Sequence, residues 1–419
     1  MNLLYIDPGT GSMLFTIIIG LVSTLIFVFK DKFLKLKFLI SGGKAEKVDS
    51  RKLPLVIFAD HKRYWNLYEP ICDELERREI ESFYWTASPD DPALEKDYKF
   101  VKCEFIGEGN KAFARLNMMK AKICFSTTPG LDVYQWKRSK ECDYYVHIHH
   151  ATEEGTGYRM FGMDFFDAIL CSGQTQVDYL RKLEAVRNIP EKEAKVVGCT
   201  YMDSLLERYE ARKKEAFASE ENKDYTVLLA PSWGPDSILN KFGEGILDAL
   251  IGTGFNIIVR PHPQSLTADK EMMDALMKKY PDKDGFVWDF SRDNFETLYK
   301  SDIMITDFSG IIFDFCYVFD RPLIYADTKM DTAPYDAAWL KEEVWRLAIL
   351  PELGKRLDEN DFPNMRQVIE SVSDSEEYRN GRNKYKAYSW HCIGHAAVNI
   401  VDYLENKLKT LDEDNNEQK

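Results

Sequence analysis

Two short segments carry residue types suited to holding phosphate. Arg260-Pro-His262-Pro263 places a permanent cation and an imidazole directly after an apolar run, Phe255 to Val259. Thr306-Asp-Phe-Ser-Gly310 follows a second apolar run, Ile303 to Ile305, and leads straight into Ile311 to Phe315, which reads as a helix start. The small residues Ser309 and Gly310 leave backbone N–H groups free at that helix N-terminus, while Asp307 is placed to accept from loop backbone groups. Ser301 to Phe315 therefore reads as a seat for an anion, and the Arg260–His262 segment as a second cationic wall. Together they point to a diphosphate donor. An ordinary strand-to-helix turn with an Asx or serine cap has the same local sequence, so the weight rests on the two segments occurring together.

The elements that must position these segments alternate between strand-like and helix-like patterns, an α/β signature. In the first half, Leu55 to Ala59, Ser82 to Thr86, Ile123 to Ser126, Tyr144 to Ile148 and Ala168 to Cys171 read as strands, Asn66 to Arg78 as a helix. Val196 to Cys199 closes that half. A charged helix from Asp203 to Ala218 leads into Glu220 to Asp224, which has no apolar residue and reads as a linker. The pattern then restarts with strands at Tyr225 to Ala230, Asn256 to Val259, Phe286 to Trp288, Ile303 to Ile305 and Leu323 to Tyr325, with helices around Ile246 to Gly252 and Lys270 to Tyr280. Two doubly wound halves result. In such sheets ligands lie beyond the carboxyl ends of the strands. His149 and His150 fall there in the first half, and Ser232-Trp233, Arg260 to His262 and Thr306 to Gly310 in the second. Ile393, Ala397, Ile400, Val401, Leu404 and Leu408 recur at helical spacing and form a closing helix.

The chain has 419 residues, which favours two domains of ordinary size. Its formal charge of -14 argues against sequence-independent binding to nucleic acid, which needs a basic face. The 8 cysteines are dispersed, without a C-x-x-C pair, and read as reduced thiols of a cytosolic domain. Met13 to Phe29 is an uncharged run that meets the ~17-residue minimum for crossing a bilayer. Lys30, Lys32, Lys35 and Lys37 follow it, so the positive-inside bias predicts a single-pass anchor with its C-terminal bulk in the cytoplasm. The expected organisation is an outer-face segment (1–12), a transmembrane anchor (13–30), a basic juxtamembrane linker (31–53), a first Rossmann-like domain (54–202), a helix and linker (203–224), a second Rossmann-like domain with its closing helix (225–410) and a disordered tail (411–419). Asp7 to Ser12 lacks the Gly-Lys-Ser/Thr ending of a phosphate loop and reads as a turn.

The motifs and their order, from about Pro54 to Asn406, resemble those of the CDP-glycerol glycerophosphotransferase family, which builds glycerol phosphate units of teichoic-acid-type polymers. Ser301 to Phe315 resembles the family's S-D-x-x-[IV]-T-D-[YF]-S-S-x-x-F-D-F block, and Arg260 to Pro263 its R-x-H-P. Ala230 to Trp233 is similar to A-P-T-W. His149-His150-Ala151-Thr152 falls where the family has W-H-G-T, and Gly394 to Ala396 lies near its terminal D-G-x-A. The chain departs from the pattern at Gly310, where the family has a second serine, at Ala151, where it has glycine, and at Glu153-Glu154, where it has proline and an apolar residue. Gly198 to Asp203 is only loosely similar to G-Y-P-R-N-D. The resemblance implies a GT-B-like pair of facing Rossmann-like domains behind the anchor, the first for the acceptor and the second for the nucleotide donor.

It also implies transfer of a glycerol phosphate or related polyol phosphate from a CDP-linked donor to a lipid-linked or membrane-associated hydroxyl, with release of CMP. The family's essential histidine maps onto His150, and an imidazole titrating near cytosolic pH suits a general base. His262 is expected to donate to a phosphate oxygen or the leaving CMP, and Arg260 to add charge. Thr306, Asp307, Ser309 and Gly310 are the expected donor-phosphate residues, with Asp314 nearby. Arg260 paired with an interdomain carboxylate, and a backbone-satisfied His150, are the structural alternatives. His147, His149 and His150 lack the Cys or Asp spacing of a zinc site, so no metal-site residues and no cofactor are expected, and metal dependence stays open. His391 and His395 read as surface or hinge residues. A GT-B glycosyltransferase using a UDP- or GDP-sugar, and a non-catalytic membrane-tethered polymer-binding protein, are the competing functions.

Overall fold

Leu55 to Ala59 are fully buried, with Leu55, Ile57 and Ala59 entering one apolar cluster and Val56 and Phe58 another. A strand covered on both faces belongs in a parallel sheet sandwiched between helices, which is why it is apolar throughout rather than alternating. In the computed structural model, which describes residues 52–217, 224–326 and 330–417, that strand is β1 (Leu53–Ala59). It is central to a 7-stranded sheet in the order β3-β2-β1-β4-β5-β6-β7. The remaining strands are β2 (Ser82–Thr86), β3 (Val101–Phe105), β4 (Ala121–Ser126), β5 (Cys142–Ile148), β6 (Ala168–Cys171) and β7 (Glu193–Val196). All pairings are parallel.

The second sheet has 6 strands in the order β10-β9-β8-β11-β12-β13. They are β8 (Thr226–Ala230), β9 (Asn256–Val259), β10 (Phe286–Trp288), β11 (Ile303–Thr306), β12 (Leu323–Ala326) and β13 (Gly354–Leu357), again parallel. Val227 and Leu229 face one cluster and Leu228 and Ala230 the other, repeating the logic of β1. The α/β expectation with two parallel sheets is met, and the central strands fall where the apolar runs place them. β3, β7 and β13 were not anticipated. Each is an edge strand with charged, exposed or half-exposed positions such as Lys102, Glu104, Lys195 and Lys355, so it lacks a continuous apolar run.

The chain returns to the first sheet at its end. The helix Ala396–Glu417 buries Ala396, Ile400, Val401 and Leu404 beside Leu55 and Ile57, so it closes the first core rather than the second. Asp203 fixes its start by accepting from Ala396 N at 3.1 Å and from Trp390 Nε1 at 3.3 Å. The tail expected to be disordered from Leu411 continues this helix as far as Glu417. Leu408 and Leu411 rest on the first core and Lys122 pairs with Asp412, contacts that offset the polar sequence. The anchor expected at Met13 to Phe29 lies outside the described residues, among which no helix is long and apolar enough to cross a membrane.

A seam between the halves places one further segment. Asp336 N donates to Tyr158 O at 2.9 Å, Ala337 N to Thr156 O at 3.0 Å and Met160 N to Pro334 O at 3.2 Å. Asp336 accepts from Phe161 N and from Arg187, which also holds Asp164 at 2.6 Å. These bonds pin residues 334–337 of the second half to the loop 156–161 of the first.

Candidate active site

Strand β5 delivers its last residues to the sheet's carboxyl edge, where His149 and His150 line a cavity of about 250 Å³. Ala151, Glu153, Gly155, Gly157, Tyr158 and Arg346 complete the lining. Tyr158 organises it: its ring stacks on His149 at 5.6 Å and its hydroxyl lies 3.2 Å from His150 Nδ1. Tyr64 flanks His150 at 5.1 Å between centroids. Burial, reinforced by the Arg63 and Arg346 cations, pushes His150 down to about 4. The imidazole is therefore neutral at neutral pH, with an unprotonated ring nitrogen, and only weakly basic as it stands.

Glu153 and Arg346 come to this cavity from opposite halves. Arg346 Nη2 lies 2.7 Å from Glu153 Oε2 and 3.6 Å from Glu154 Oε1. The other carboxylate oxygen of Glu153 lies against Gly310, so a β-carbon there would require Glu153 to move. Thus the His150 cavity and the turn at Gly310, read from separate parts of the sequence, meet at one side chain. Gly310 is the N-cap of the helix Ile311–Val318, whose only charged residue is Asp314. Tyr201 donates to Asp314 Oδ2 at 2.7 Å. Burial, with Glu153's charge adding to it, lifts the Asp314 carboxyl to about 7.

The other expected donor residues divide into scaffold and surface. Thr306 Oγ1 donates to Ala230 O at 2.5 Å, tying β11 to β8. Asp307 is fully buried and accepts from Ser232 N at 3.0 Å and Ile238 N at 2.9 Å, so its carboxylate braces the loop after β8. Arg260 donates to Asp289, and to Ser291 Oγ and O at 3.0 and 2.8 Å, a carboxylate of its own half rather than one across the cleft. His262 is exposed and accepts at Nδ1 from Gln264 N at 3.1 Å, which leaves Nε2–H as its outward donor. The exposed Trp233 lies beside it at 6.3 Å. Arg260 and His262 do not line the His150 cavity.

Arg346 and Tyr158 were not singled out from the sequence. The signal for Arg346 was indirect, since the acidic pair Glu153-Glu154 next to His150 requires a cation once buried. Among the described residues no group of three or more His, Cys, Asp or Glu is placed to hold a metal ion.

A family model described as CDP-glycerol:poly(glycerophosphate) glycerophosphotransferase matches residues 110–338, a span that includes His150, Arg260, His262 and the Thr306–Gly310 turn. No curated protein matches in sequence. Among solved structures, the wall teichoic acid polymerase TagF, as a histidine-to-alanine variant, superposes with a TM-score of 0.58 at 13% identity, covering 93% of this chain and 97% of that one. A histidine-to-asparagine variant of TagF soaked with CDPG gives 0.57 at 14% identity, over 94% and 98%. The UDP-GlcNAc 2-epimerase of Neisseria meningitidis, bound to UDP-GlcNAc, gives 0.52 at 16% identity, over 84% and 99%. At these identities the likeness is one of fold.

Proposed function

The chain belongs to the CDP-glycerol:poly(glycerophosphate) glycerophosphotransferase family and is a transferase of that kind, and on that premise we propose the reaction it performs. It moves a glycerol phosphate, or a related polyol phosphate, from a CDP-linked donor to the hydroxyl of a membrane-associated acceptor during cell-surface polymer synthesis. Its anchor keeps it at the inner face of the cell membrane. The observation that carries this reading is the junction of the His150 cavity with the Ser309–Gly310 turn through Glu153.

In this reading the donor's diphosphate lies over the N-terminus of the helix Ile311–Val318, where Ser309 and the Gly310 backbone receive it. The acceptor hydroxyl enters the cavity. Its oxygen forms a new bond to the glycerol-bearing phosphorus, the bond from that phosphorus to the bridging oxygen breaks, and the electron pair leaves on CMP. The hydroxyl proton passes to His150 Nε2, provided Nδ1 carries the other proton and donates it to Tyr158. A base near 4 is weak, but the donor's negative charge offsets the Arg346 field and raises it towards the working pH. His262 Nε2–H faces outward, suited to the departing nucleotide, while Arg260, held by Asp289 and Ser291, stiffens the same strand end. Positioning and charge stabilisation are the main demands of such a transfer, and these residues meet them.

The test is nucleotide release. The full chain, with a membrane fraction as acceptor source, is offered CDP-glycerol, CDP-ribitol, UDP-sugars and GDP-sugars. CMP release from a CDP-polyol, abolished by His150→Ala, is the expected result. UDP or GDP release with no CMP would replace this reading with a glycosyltransferase.

A further inference from the structure

We propose that Arg346 is the residue that receives the donor's transferred phosphate, and that Glu153 is its stand-in partner, filling the seat beside Gly310 when no donor is present. This rests on the donor reading of Ser309 and Gly310. Arg346 lies in the short helix Trp345–Ala348, and its neighbour Trp345 stacks on Phe313 at 5.6 Å and 17°. That stacking fixes the guanidinium relative to the helix that starts at the anion turn. Gly157 makes the approach possible, because a β-carbon there would overlap Arg346 Nη2.

The pairing of Arg346 is incomplete. Its Nε is buried without a hydrogen-bond partner among the described residues, although a guanidinium has five donors in a planar fork matched to phosphate. Glu154 Oε2, in the same contact, is also unpartnered. His149 is only 4% exposed, lines the same cavity, and its Nε2 has no partner. His149, Glu153 and Arg346 line the same cavity, and the second carboxylate oxygen of Glu153 lies beside Gly310, the N-cap of the helix Ile311–Val318. A carboxylate mimics a phosphate in charge and in accepting geometry, so Glu153 holds Arg346 and fills the space beside Gly310 until the donor displaces it. Donor binding then exchanges one anion for another. The two positions that permit this, Glu153 and Gly310, are both departures from the family pattern.

The experiment measures binding of CDP to the full chain by calorimetry, with melting temperature recorded for each variant. Glu153→Gln keeps the shape and removes the competing charge, and is expected to tighten CDP about tenfold. Arg346→Gln is expected to weaken it by about tenfold or more. Because that variant leaves Glu153 and Glu154 unpaired, the Glu153→Gln/Arg346→Gln double variant accompanies it, and should still bind about tenfold or more weakly than Glu153→Gln; equal affinity of these two would overturn the role of Arg346. Arg346→Lys keeps the charge without the fork and should lower kcat more than it raises donor KM. If Ser309→Ala weakens CDP while Glu153→Gln leaves it unchanged, the placeholder role is overturned and the donor reading stands. Should CDP fail to bind, or bind indifferently to Ser309→Ala, both are overturned.

Discussion

Glu153 places a carboxylate oxygen against Gly310 so closely that a β-carbon there would displace it. The residues are far apart in sequence and lie in different halves of the fold. The structure brings the two positions into one contact.

A two-residue cycle follows from this contact. Gly310 has φ -63° and ψ -17°, so a serine there costs nothing in backbone terms and only the clash opposes it. Gly310→Ser alone is expected to lose about 1–3 kcal/mol by overpacking. In a Glu153→Ala background the same change should be nearly neutral, a coupling within the ~0.5–3 kcal/mol range of touching residues. Chemical denaturation of the four proteins measures it.

Residues of the Thr306–Gly310 turn should separate into scaffold and ligand roles. Thr306→Val breaks the bond to Ala230 O and is expected to cost about 1 kcal/mol of stability without changing affinity for the donor. Asp307→Ala leaves buried N–H groups of Ser232 and Ile238 unpaired and should cost roughly 3 kcal/mol. Ser309→Ala should do the reverse, leaving the melting temperature unchanged while weakening CDP. Equal effects on stability and binding at all three positions would contradict this division.

His150 makes a pH prediction for activity. Its neutral form is the base, and burial with Arg63 and Arg346 holds it down to about 4, so free-enzyme kcat/KM should fall only as pH drops through that region. Removing a nearby cation stabilises the imidazolium. Arg63→Gln should therefore move the acid limb to higher pH, and a shift to lower pH would contradict the assignment. His150→Ala is expected to lose ~10²- to 10⁴-fold in rate.

Asp314 makes a pH prediction for stability. Its carboxyl is raised to about 7 in the folded protein, against an ordinary 3.8, by burial and by Glu153. Between those values the folded state keeps a proton that the unfolded state releases, so this group's contribution falls as pH rises and levels off above about 7. The depressed histidines His149 and His150 act in the opposite sense across part of the same window. The difference between the wild type and Asp314→Asn isolates the carboxyl. That variant should gain relative stability as pH rises from 4 to 7, and a constant difference would remove the prediction.

The legibility of this fold follows burial. Runs such as Leu55 to Ala59 and Val227 to Ala230 are buried on both faces and show themselves in sequence, whereas the edge strands β3, β7 and β13 mix charge with partial exposure and do not. The positions of His150 and the Ser309–Gly310 turn were legible because each sits at the carboxyl end of an apolar strand. Arg260, Thr306 and Asp307 were legible as polar groups in the right place, but the pattern could not tell that their side chains are engaged by Asp289, Ala230, Ser232 and Ile238. Arg346 carries no motif at all. Its place depends on the seam at 334–337 and on the stacking of Trp345 over Phe313, contacts that local sequence does not encode.

The most direct test of the central claim is a structure of the full chain soaked with CDP-glycerol. The account predicts the diphosphate over Ser309 and Gly310, Glu153 withdrawn, Arg346 on the glycerol-bearing phosphate and His150 facing that phosphorus across the cavity. A diphosphate bound away from Ser309, Gly310 and Arg346, with Glu153 still in place, would contradict it.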